Sequence, residues 1–191
     1  MSATTARFFI ALLPSQAIQD EVSALKQVFV DRYNSRAALK SPPHITLQPP
    51  FEWSIEAIPH LSATLREFGV QVAPMPIALS GFGAFAPRVI YINVIKSPPL
   101  LMLQAALVSH LEASSGIVDE VGKSRSFTPH MTVGFRDLTK ENFKLAWAEF
   151  QLRPLEREWL ATQLTLLQHD GQRWNVHSSF PFTGDGKANL F

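Results

Sequence analysis

A chain of 191 residues, 46% hydrophobic and 17% charged, has ample material for one packed core or for two small lobes sharing one, and shows little sign of disorder. Seventeen basic against sixteen acidic side chains leave a net charge of +1, which argues against a long nucleic-acid footprint but not against a nucleotide or a short RNA end. The lack of cysteine excludes disulfides, thiolate nucleophiles and cysteine-bound zinc. No apolar stretch is long enough to span a bilayer, and the run 8–13 lacks the flanks of a signal peptide, so a soluble cytoplasmic monomer is the expectation.

Residues 7–13 read as a buried strand stopped by Pro14. Ser15 then caps a helix whose apolar positions Ile18, Val22, Leu25 and Phe29 recur at helical spacing as far as Tyr33. A polar loop over 34–41 leads to Pro42-Pro43, which bars helix and delivers an extended chain into a strand from His44, expected to end at Pro49-Pro50-Phe51. Ser54 opens a second helix with stripe Ile58, Leu61, Leu65 and Phe68, closed by Gly69. A strand over 76–86, kinked at Gly81-Phe82-Gly83, pairs with a returning strand over 89–95.

Ser97-Pro98-Pro99 opens a third helix, followed by a polar loop over 114–127 that carries Lys123 and Arg125. A strand over 130–135, a helix from Thr139 and two strands over 159–168 and 173–180 complete the chain, the last two joined by the turn His169-Asp170-Gly171-Gln172. Residues 183–191 read as a loose tail. Helices mixed with antiparallel hairpins imply an α+β fold.

Two stretches repeat one device, Pro43-His44-Ile45-Thr46-Leu47 and Pro129-His130-Met131-Thr132-Val133, one in each half of the chain. In a strand, alternate side chains share a face, so His44 projects with Thr46, and His130 with Thr132, while the apolar residues point into a core. Two imidazoles brought to one cleft can act as base and acid on opposite sides of a phosphorus atom, and the threonine hydroxyls can donate to its non-bridging oxygens. Zinc is the chemical rival, but no third ligand stands at a familiar spacing. His60 and His110 fall in helices, His169 in a turn and His177 on an edge strand, and each is a weaker candidate. Phe51, Phe82, Phe85, Phe127 and Trp174 are candidate base stackers, although core packing is the commoner role of an aromatic. Arg125, Arg136 and Lys123 are candidate phosphate partners.

These two motifs, with Gly134-Phe135 after the second and the opening strand Arg7-Phe8-Phe9-Ile10-Ala11-Leu12, resemble the two-histidine phosphoesterases, and more narrowly the 2′-5′ RNA ligase and cyclic phosphodiesterase branch. The resemblance implies a single domain over 1–191 made of two intertwined lobes. It would be bilobal and pseudo-twofold, with two antiparallel sheets and flanking helices around a central cleft. It implies cofactor-free and metal-free opening of a 2′,3′-cyclic phosphate on RNA or a nucleotide to a 2′-phosphate. His44 and His130 would be the acid–base pair, and Thr46 and Thr132 would hold the phosphate. Other outcomes are 2′-5′ RNA ligation, action on another cyclic phosphate such as ADP-ribose 1″,2″-cyclic phosphate, or nucleotide binding without turnover. One departure stands out. Many members of the branch place arginine where this chain has Phe135, and Arg136 comes one residue later. Within a strand that offset would turn the Arg136 side chain to the other face.

Overall fold

The computed structural model describes residues 4–120, 122 and 125–185; Lys123 and the tail beyond residue 185 lie outside them. Strand β1 (Thr5–Leu12) leads into helix α1 (Gln16–Tyr33) and strand β2 (Ile45–Ser54). Helix α2 (Ile58–Gly69), the hairpin β3 (Met75–Phe85) and β4 (Val89–Val94), and helix α3 (Pro98–Ser115) follow. Strand β5 (His130–Gly134), helix α4 (Lys140–Phe150) and strands β6 (Glu156–Ala161), β7 (Gln163–His169) and β8 (Trp174–Pro181) complete the order.

The strands form two four-stranded sheets, β2-β1-β7-β8 and β5-β4-β3-β6, with every neighbouring pair antiparallel. The two orders correspond position by position, so β2 and β5, which carry the repeated motifs, are both edge strands. This is the α+β, pseudo-twofold arrangement. Among the described residues no helix is long and apolar enough to cross a membrane.

Helical periodicity delivers one apolar stripe per helix to a shared core. From α1 come Ile18, Val22, Leu25 and Phe29, and from α3 Leu100, Leu103, Leu107 and Leu111, all buried. These join residues of both sheets in one cluster. Strand β1 is apolar on both faces because both are covered. Phe8, Ile10 and Leu12 enter the main core, while Phe9 and Ala11 join Leu167, Leu13 and Trp174 in a small separate cluster on the other face.

Several boundaries differ from the sequence reading for physical reasons. Strand β2 runs on through Pro49 and Pro50 to Ser54, because an edge strand can leave unused the ladder bonds that proline cannot make, and its pairing with β1 shifts register there. The single strand expected over 159–168 is two strands in different sheets: β6 pairs with β3, β7 with β1, and the break falls at Thr162-Gln163, where two consecutive exposed polar residues interrupt the alternation. The loop before the first motif contains a 3-10 turn, Ala37–Lys40. At the start of the expected tail, Thr183 and Gly184 donate backbone N–H groups to Gly69 O and Val72 O at 3.3 and 2.9 Å.

Candidate active site

His44 stands immediately before β2 and His130 is the first residue of β5. Each follows a proline, whose fixed φ holds the preceding residue extended and sets its carbonyl beside the ring. His44 Nδ1 lies 2.7 Å from Pro42 O, and His130 Nδ1 lies 2.8 Å from Thr128 O. A carbonyl only accepts, so each Nδ1 carries a proton and donates it, and each Nε2 is left to exchange protons with a ligand. The repeated proline therefore has a mechanical purpose, which is to fix tautomer and ring orientation.

Each ring also rests on an aromatic side chain from the adjoining inner strand. Phe9 of β1 packs against His44 at 4.8 Å between centroids, and Tyr91 of β4 against His130 at 5.2 Å, with Phe85 edge-on to His130 at 5.1 Å. The Tyr91 ring passes over Gly83, where an added Cβ would lie 2.7 Å from Cζ of the tyrosine. Both histidines and both threonines line one cavity of about 540 Å³ between the sheets.

That cavity is cationic. Arg7, Lys40 and Arg136 line it, with His169 as a third imidazole, and among the described residues no carboxylate does. Among the described residues none of those three cations has a carboxylate partner, and no three His, Asp or Glu side chains converge as a metal site would need. Behind His44, Lys26 of α1 is only 2% exposed and donates from Nζ to Ser41 O at 3.0 Å. Burial pushes the Lys26 ammonium down to about 8. Burial also pushes His44 down to about 4, and the charges of Lys26 and His130 act in the same direction against the bond to Pro42. His130 is lowered by burial, opposed by its bond to Thr128.

Arg136 reaches the cavity by leaving the strand. Strand β5 ends at Gly134, and Arg136 takes φ 56°, an unusual value for a residue with a side chain, spanned by Asp137 N–H donating to Phe135 O at 2.7 Å. Alternation no longer applies there, so both Phe135 and Arg136 line the cavity. Asp137 holds this turn against the loop before the first motif: its carboxylate accepts from Ser35 Oγ (2.8 Å), Arg36 N (2.7 Å) and Ala37 N (3.0 Å).

The other candidates are placed elsewhere. Arg125 is exposed outside the cavity. Phe82 is buried in the main core against Phe150, and the partly buried Phe51 and Phe127 pack against that core, Phe51 on Phe8, so none of the three lines the cleft. Phe85 and Trp174 do line the cleft. Sequence reasoning missed Arg7, Lys26 and Lys40, and set His169 aside as a turn residue. No local signal marks them, since each is brought in by tertiary pairing.

Two His-x-Thr strands facing one cleft between antiparallel sheets define the two-histidine phosphoesterase class. The chain belongs to the 2′-5′ RNA ligase superfamily, whose family model matches residues 14–173. It is 32% identical over 178 residues to a Geobacillus kaustophilus protein named "Putative phosphoesterase", covering 91% of this chain and 95% of that one. A Bacillus licheniformis protein of the same designation is 29% identical over 177 residues, covering 91% and 97%. The fold matches the Thermus thermophilus protein TT0787 at a TM-score of 0.69 and 20% identity, over 94% of this chain and 99% of that one. Apo LigT of E. coli matches at 0.68 and 20%, over 95% and 99%.

Proposed function

We propose that the protein is a metal-independent phosphodiesterase that opens a 2′,3′-cyclic phosphate on an RNA or nucleotide end to a 2′-phosphate. The observation that carries this reading is the matched pair of Nδ1–H bonds to Pro42 O and Thr128 O, which leaves both Nε2 atoms to one cationic cavity. One neutral imidazole takes a proton from water at Nε2 as the water oxygen attacks phosphorus. The other, protonated at Nε2, gives its proton to the 3′-oxygen as the P–O3′ bond breaks. A 2′-phosphate and a 3′-hydroxyl result, and the two rings have exchanged protonation states, which solvent restores. Thr46 and Thr132 donate to the non-bridging oxygens, where negative charge is concentrated during the step. Crystal structures of E. coli LigT hold 3′-AMP, NADP+, ATP or phosphate, and we carry a nucleotide over to this cavity by analogy.

The test is turnover of nucleoside 2′,3′-cyclic phosphates in the presence of EDTA. Turnover is expected, falling about 10²–10⁴-fold in His44→Ala and in His130→Ala. Absence of turnover, or full activity in either variant, would remove the proposal. Membership of the superfamily favours one further reaction at the same groups. A 5′-hydroxyl that attacks in place of water leaves a 2′-5′ phosphodiester, which RNA ends carrying a cyclic phosphate and a 5′-hydroxyl would reveal as a longer product.

A further inference from the structure

The cleft, of about 540 Å³, is larger than one phosphate needs, and its cations come from two separate groups of elements. Arg136 and Lys40 lie on the side of β5 and the 3-10 turn. Arg7 lies on the side of β1 and the β7–β8 hairpin. Arg7 and Phe9 share a face of β1, two residues and so about 7 Å apart, and Phe9 packs on His44. The Arg7 guanidinium is set 5.6 Å over the Trp174 ring, a cation–π contact that limits its rotamers. Trp174 in turn packs on Phe9 at 4.7 Å and on His169 at 4.8 Å.

His169 differs from the two motif histidines in its tautomer. Its Nδ1 accepts from Gly171 N at 3.1 Å, so the neutral ring carries its proton on Nε2 and presents a donor. The nearby carboxylate of Asp170 is already engaged by Gln172 N (2.8 Å), Arg173 N (2.7 Å) and Asn175 Nδ2 (2.8 Å), and these donors hold it down at about 2. Among the described residues Glu52, the cross-strand neighbour of Arg7, forms no ion pair with it.

Building on the proposed phosphodiesterase reading, we infer that Arg7 and His169, braced by Trp174, form a second anion subsite for a phosphate one nucleoside away from the scissile group. It takes either the 5′-phosphate of a mononucleotide or the internucleotide phosphodiester of an RNA end, so nucleosides bearing only the cyclic phosphate are the poorer ligands.

Binding of product analogues tests this without turnover. Calorimetric titration compares adenosine 2′-phosphate, adenosine 2′,5′-bisphosphate and the dinucleotide ApA ending in a 2′-phosphate. At least one of the last two binds about tenfold more tightly than the first in the unaltered protein, as expected for one charge-assisted contact, and which one does so names the source of the phosphate. In Arg7→Ala that preference collapses towards one, and Arg7→Lys restores part of it; circular dichroism checks that the variants remain folded. Equal affinity for all three ligands, or the same loss of affinity for each in Arg7→Ala, overturns the subsite. A tenfold preference in a protein that turns over no cyclic phosphate removes the catalytic reading and leaves the subsite standing.

Discussion

His44 and His130 make the same bond to the chain but differ in what lies behind them. Both are depressed by burial, His44 to about 4, with the Lys26 ammonium adding to the effect only on the His44 side. The acid–base step proposed above needs one ring neutral and the other charged, a state of the pair that peaks between its two apparent pKa values. Both lie below the ordinary histidine value, so kcat/KM is expected to be maximal below pH 6.5 and to fall as pH rises. In Lys26→Met the loss of a buried positive charge raises the His44 value and moves the acid limb to higher pH. Ring-proton NMR titration checks the assignment, and an unmoved limb would refute it. The histidine pair was legible in the sequence because proline, histidine and threonine recur with the same spacing and strand alternation puts two of them on one face. Lys26 was not, since a lysine beside an apolar helical stripe carries no chemical signal of its own, and its partner, the Ser41 carbonyl, lies fifteen residues on.

At the scale of elements, the end of β5 decides where Arg136 goes. A Cβ at Gly134 would stand 2.6 Å from Cδ1 of Phe29 and 2.7 Å from its Cε1, and that ring is fully buried. Gly134→Ala is therefore expected to cost about 1–3 kcal/mol by overpacking. It should also lower turnover by shifting the turn that carries Phe135 and Arg136. Urea unfolding and steady-state kinetics on one preparation check both effects, and unaltered stability would contradict the packing argument. Strand alternation sends Arg136 away from the cleft, and that rule fails here only because the strand stops two residues earlier. The positive φ and the Asp137 clamp that replace it depend on Ser35, Arg36 and Ala37, a hundred residues back, where no local pattern reaches. The adjacent polar residues Thr162-Gln163 read as part of one strand, because a change of sheet cannot be told from a bend without the partner strands.

On the scale of the molecule, the sheet that carries His44 is assembled from both ends of the polypeptide: Phe8 to Ala11 of β1 pair with Gln168 to Thr165 of β7. Contacts so distant along the chain close late, because loop entropy is lost before they form. On refolding from urea, activity is expected to return no earlier than hydrogen-exchange protection of the Ile10 and Leu166 amides. Activity that precedes this protection would show that the sheet is not needed for the site. The same long-range pairing explains why the fold class was readable from the order of helices and hairpins, whereas Arg7, His169 and Trp174 did not declare themselves as neighbours. A cleft built in this way also acts as a checkpoint on completeness. A polypeptide released before its final hairpin is made already contains both imidazoles, yet it lacks the Trp174 ring that packs on Phe9 beneath His44, so an unfinished copy carries the first motif without the support that sets its ring.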